Sequence, residues 1–205
     1  MKLYTTRMAP YPRRVDIYLR QKGIVLERQE LDLHAMEQRN PDFLRKNPAG
    51  QVPLLEFDDG RFLPESQAII EYLEERFPTP PMIGRTAEER AQVRATDGIA
   101  GQVFTVLGLI LLHTSPVAAQ LHPGITQFPQ VGIALQPILD RLLDQLEHRI
   151  GENDFLAGPA PTVADCTFFA LMGTVCPGMG YELPERCGRL RAWYERFRRH
   201  PIVLD

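Results

Sequence analysis

The chain reads as two parts of different class, a small α/β unit followed by an all-α one, and three observations predict that division. Through residue 77, short strand-like runs alternate with runs of helical period in the order βαβ-ββα. Residues 78–84, PTPPMIG, hold three prolines and one glycine, so they cannot continue a helix and make the best linker in the chain. Beyond them nothing has strand character. The predicted division is therefore an α/β unit over 1–77, a linker over 78–85 and an all-helical unit over 86–205.

The elements follow in order. Residues 2–5 are a strand, and Pro12 opens a helix because its fixed φ and missing N–H suit a first helical position. Val15, Tyr18, Leu19 and Lys22 keep helical spacing, and Gly23 sits where a left-handed cap belongs. Residues 24–33 read as a second strand. Asn40-Pro41 begins a short helical piece that ends by Asn47-Pro48. Residues 52–57 and 61–63 form a hairpin about Asp58-Asp59-Gly60. Ser66 then caps a helix whose apolar face is Ile69, Ile70, Leu73 and Phe77. Further helices are predicted over 86–113, 131–150, 163–175 and 190–197. The second of these carries Leu135, Ile138, Leu139, Leu142 and Leu146 as its buried stripe. Thr162 and Asp165 make a capping box for the third.

Composition narrows the function. With 23 Lys+Arg against 26 Asp+Glu the net charge is −3, spread evenly over both parts, so no basic face for nucleic acid is expected. No apolar leader opens the chain, and residues 98–137, though nearly uncharged, contain two histidines and several prolines, which argues against a membrane span. A cytoplasmic protein is expected. Cys166, Cys176 and Cys187 are spaced as neither a redox pair nor a metal cluster, so reduced packing cysteines and no metal site are expected.

Residues 47–73, NPAGQVPLLEFDDGRFLPESQAIIEYL, together with PTVAD at 161–165, resemble the glutathione transferase superfamily at matching offsets along the whole chain. The resemblance implies a thioredoxin-like N-terminal domain and glutathione as co-substrate. A cis Val52-Pro53 bond would turn the Val52 backbone outward, where an extended peptide could pair with it like an added strand. Glu65-Ser66 places a carboxylate and a hydroxyl at a helix N-terminus, whose N–H groups and dipole attract an anion. By resemblance, Ser66 grips the γ-glutamyl carboxylate and Glu65 the ammonium, while Gln51 and Gln38 or Arg39 reach the glycyl end.

The usual thiol-activating Ser, Cys or Tyr is missing, since Ala9 stands just before Pro10. The absence of cysteine from the first 165 residues excludes glutaredoxin-like thiol reduction and cysteine-type deglutathionylation. The A-P-x-P-R-R-V start is similar to a subfamily in which a His and a hydroxyl residue of the helical domain hold a water on the sulfur. His113 and Ser115 match those residues. Tyr11 is a competing donor, with Thr5 and Thr6 behind it. Met8, Tyr11 and residues 103–112 are expected to bind a small hydrophobic electrophile. A homodimer is implied by resemblance. The alternative function is a non-catalytic glutathione-binding or scaffold protein, favoured by Ala9; a glutathione-dependent isomerase or dehalogenase would need a cationic pocket that residues 103–112 do not offer.

Overall fold

The computed structural model describes residues 1–203 apart from Met8 and Pro123. Contacts divide the chain into two compact units, Met1–Met82 and Ile83–Asp205.

The first unit is a four-stranded sheet with helices packed on it. Strands β1 (Lys2–Thr5), β2 (Glu27–Glu30), β3 (Leu54–Glu56) and β4 (Phe62–Pro64) lie in the order β2-β1-β3-β4. β1 and β2 are parallel; the other neighbours are antiparallel, with Tyr4 opposite Leu54 and Leu55 opposite Leu63. β2 is shorter than the run 24–33 predicts, and all four of its residues are exposed. Glu, Arg and Gln on an outer strand oppose further pairing, the usual protection of a sheet edge. The hairpin turn is closed by Phe57 N–H to Arg61 C=O at 2.8 Å, with Gly60 at φ 83°.

Helix α1 (Pro10–Lys22) starts two residues before Pro12. Pro12 falls at the third helical position, where its missing N–H again costs nothing, because the first four N–H groups of a helix have no internal partner. A single 3-10 turn (Glu37–Arg39) precedes α2 (Pro41–Lys46). Helix α3 (Ser66–Arg76) buries Ile69, Ile70 and Leu73, as their spacing predicts. It packs against α1 around a buried charge: the Glu74 carboxylate accepts from Tyr18 Oη (2.6 Å), Lys22 Nζ (2.8 Å) and Met82 N (2.8 Å).

The second unit is helical: α4 (Ala87–Thr114), α5 (Pro116–Leu121), α6 (Pro129–Ile150), α7 (Val163–Met179) and α8 (Gly188–Phe197). α4 packs against both α6 and α7. Its apolar stretch is long enough to cross a bilayer by length and composition alone, and 39% of that stretch is buried in the unit. Where α6 passes the end of α4 only Gly132 fits, since a Cβ there would lie 2.5 Å from Thr114 Cγ2. The buried stripe of α6 is Gly132, Leu139, Leu142, Leu143, Leu146 and Ile150. Leu135 is half-buried and Ile138 exposed, because the apolar residues of this helix spread wider than the face its neighbours cover. α5 was not anticipated; Ser115 and Pro116 start it as N-cap and first residue. All three cysteines are free thiols, with Cys166 and Cys187 buried.

Candidate functional site

One cavity of about 420 Å³ opens in the first unit, and it is built where three turns meet. Seven of the residues singled out from the sequence line it: Tyr11 from α1, Gln38 from the 3-10 turn, Gln51, Val52 and Pro53 before β3, and Glu65 and Ser66 at the start of α3. Ala9, Leu33, Asn47, Ala49, Gly50 and Pro64 complete the lining. Arg39 is exposed and stands outside it, donating from Nη1 to Ala49 C=O at 3.2 Å. Thr5 and Thr6 are buried away from the lining. Met8 lies outside the described residues.

The start of α3 differs from its sequence reading in one respect. Glu65, not Ser66, is the N-cap, at φ 71° and ψ 116°, and its side chain makes no capping bond. Ser66 is the first helical residue and is buried, so its hydroxyl is not spent on the helix end in the way a capping serine's would be. The first bond closing the helix runs from Ile69 N–H to Glu65 C=O at 2.9 Å. The N–H groups of Ser66, Gln67 and Ala68 precede it and face the end that the dipole makes positive. A carboxylate fits there.

The other walls supply complementary groups. The Val52-Pro53 bond is cis. The β1–β3 ladder begins at Leu54, so Val52 stands just beyond it, in line for an added peptide strand. Gln38 Oε1 is buried with no hydrogen-bond partner among the described residues, an acceptor awaiting a donor. Glu65 offers a carboxylate to a cation. Anion site, cation site, strand-like backbone and orphan acceptor around one cavity suit a short zwitterionic peptide.

At the α1 end the chemistry is thinner. Ala9 is the N-cap and provides no side-chain oxygen. Prolines at the first and third helical positions leave Tyr11 as the sole carrier of a backbone N–H among the first three. The Tyr11 side chain is 47% exposed, and burial of the rest, opposed by Arg14 and assisted by Glu65, holds its phenol above the usual range. Tyr11 therefore remains protonated at neutral pH and can donate a hydrogen bond.

His113 and Ser115 belong to the second unit, at the α4–α5 junction. His113 Nδ1 accepts the Phe128 N–H at 3.2 Å, so the neutral ring carries its proton on Nε2. Ser115 is buried, and its Oγ accepts Ala118 N–H at 3.4 Å as the cap of α5. Gln127 Nε2 reinforces the junction through Leu112 C=O (2.8 Å) and Ser115 C=O (2.9 Å), a contact no local sequence signal announces.

Models of the glutathione S-transferase N-terminal and C-terminal domains match residues 3–81 and 129–196. The chain belongs to the glutathione S-transferase family. Glutathione S-transferase 2 of Saccharomyces cerevisiae is 30% identical over 99% of this chain and 88% of its own length. The maleylacetoacetate isomerase of Pseudomonas aeruginosa is 34% identical over 80% of this chain and 76% of its own. Among solved structures, a glutathione S-transferase domain-containing protein from Marinobacter aquaeolei superposes over the full length of both chains with a TM-score of 0.86 at 31% identity. Gtt2 of S. cerevisiae does so over 99% and 98%, with a TM-score of 0.84 at 28% identity. This glutathione transferase thus has the thioredoxin-like and helical units of its family and glutathione as co-substrate. Full-length likeness to named transferases sets aside the non-catalytic alternative that Ala9 suggested.

Proposed function

We propose that this transferase conjugates the thiolate of glutathione to a small hydrophobic electrophile, with the tripeptide held in the cavity of the first unit. The observation that carries the reading is the uncapped start of α3 beside Glu65, Val52 and Gln38 in one cavity. Ser66 and the first N–H groups of α3 take the γ-glutamyl carboxylate, and Glu65 takes the ammonium. Val52, flanked by Pro53, pairs with the cysteinyl unit, and Gln51 and Gln38 hold the glycyl end. Fixing the thiol beside α1 makes its attack effectively intramolecular.

Tyr11 is the thiol's donor in this reading, because it lines the cavity and stays protonated. His113, with Nε2–H still available, and Ser115 form the second reading, in which they hold a water on the sulfur. Initial rates with 1-chloro-2,4-dinitrobenzene separate the two. Y11F is expected to lower kcat/KM about 3–10-fold, the worth of one hydrogen bond. A normal Y11F beside a crippled H113A would move the role to the helical unit.

The proposal extends to residues 78–85 as linker, a cytoplasmic detoxification role and a homodimer. In this reading Leu109, 41% exposed on α4, lies on the surface that a second copy would cover. Sedimentation at the monomer mass would end the dimer proposal. An isomerase like the Pseudomonas relative is a further outcome of a substrate screen.

A further inference from the structure

Two side chains, those of Asn47 and Arg39, and the bare backbone of Gly50 lock the loop that presents Gln51 and Val52. Asn47 is buried and lines the cavity wall, yet its polar atoms turn inward to its own loop. Its Oδ1 accepts the Ala49 N–H at 3.2 Å, its Nδ2 donates to the Gln51 C=O at 2.8 Å, and its own C=O accepts the Gly50 N–H at 2.9 Å. The backbone on either side of Gly50 is thereby tied to one rigid carboxamide. Gly50, at φ 59°, lies so close to the neighbouring turn that a Cβ would fall 2.7 Å from Arg39 Nη1 and 2.9 Å from the Gln38 C=O. Arg39 closes the contact through Ala49 C=O.

We infer that Asn47 is a positioning residue for glutathione, holding the loop from Ala49 to Gln51 in the shape that lets Val52 pair with the peptide. The inference rests on the glutathione site proposed above. A loop ordered before binding does not have to be ordered by the ligand, so loss of the two side-chain bonds weakens affinity without touching the thiol chemistry. A serine at this position keeps an acceptor for Ala49 N–H but is too short to reach Gln51 C=O.

The test is calorimetric binding of glutathione and of S-methylglutathione, together with steady-state rates, for the intact wild type, N47S and N47A. N47A is expected to raise Kd for both peptides and KM for glutathione roughly tenfold, with kcat and the KM for the aryl halide within about threefold. N47S is expected to fall between it and wild type. If N47A does not fold, the N47S shift alone decides. Binding of both peptides within twofold of wild type, or a loss confined to kcat, overturns the positioning role. Wild type that binds neither peptide overturns the underlying site instead.

Discussion

Four helix starts in this molecule, two from each unit, make a contrast. In the helical unit, α4 and α7 are sealed. Thr86 Oγ1 accepts Glu89 N–H at 3.2 Å while Glu89 accepts Thr86 N–H at 3.3 Å, and Thr162 with Asp165 repeats the arrangement. In the α/β unit, α1 and α3 begin at Ala9 and Glu65 without a side-chain cap, and both line the cavity. A sealed end spends its N–H groups on stability; an unsealed one leaves them available. They are available to a ligand only where a cavity lies in front, as at α1 and α3 and not at α6, which opens at Phe128 without a side-chain cap. The two open ends also differ from each other. α3 has three leading N–H groups and a buried serine, whereas α1 has two prolines and one tyrosine. In the proposed binding mode, glutathione's charge is anchored strongly and its sulfur is served by few donors.

Breaking the seal of α7 should have the largest effect. The Asp165 carboxylate accepts from Leu156 N, Thr162 N, Thr162 Oγ1 and Trp193 Nε1, all buried. D165A is expected to cost about 3–5 kcal/mol in denaturant unfolding, leaving buried donors without an acceptor. Burial pushes this carboxyl up to about 6 against the four bonds that pull it down. Its pKa is then higher folded than unfolded, so its contribution to stability is full below about pH 4 and is lost as pH rises through about 6. A carbon-13 titration of the side chain should have its midpoint near 6, and one below 4 would contradict the assignment.

Removing the hydroxyl at the open end of α3 comes next. S66A should raise KM for glutathione about 10–100-fold, the cost of a hydrogen bond to a charged group, with kcat nearly unchanged and no loss of thermal stability. A drop in Tm with an unchanged KM would make Ser66 a folding residue after all. A9S sharpens the contrast between the two open ends: a hydroxyl at the sparse end should lower the bound thiol's pKa by about one unit. T86A should be the smallest change, about 1 kcal/mol of stability and no effect on KM.

Much of this was legible in the residues. Helical spacing placed the buried faces of α1 and α3, and the Asp-Gly turn placed the hairpin. That Val52, Pro53, Glu65 and Ser66 would line one cavity was legible because Val52-Pro53 and Glu65-Ser66 are local motifs. Pro12 misled by two positions because Pro10 is equally tolerated at a helix start. Ser66 read as a cap because the sequence does not reveal that Glu65 takes a positive φ. Asn47 and Gln127 were invisible in their roles, since each acts by bonding backbone whose placement depends on tertiary structure. Leu135 and Ile138 show the same limit: which apolar residues are covered depends on the neighbours.

The most direct test of the account is a pH titration of the thiolate ultraviolet absorbance of glutathione bound to the wild-type enzyme, repeated with Y11F. The account predicts ionisation at least one unit below the free thiol's value of about 8.5, and a shift back toward that value in Y11F. A bound thiol that titrates like free glutathione would contradict it.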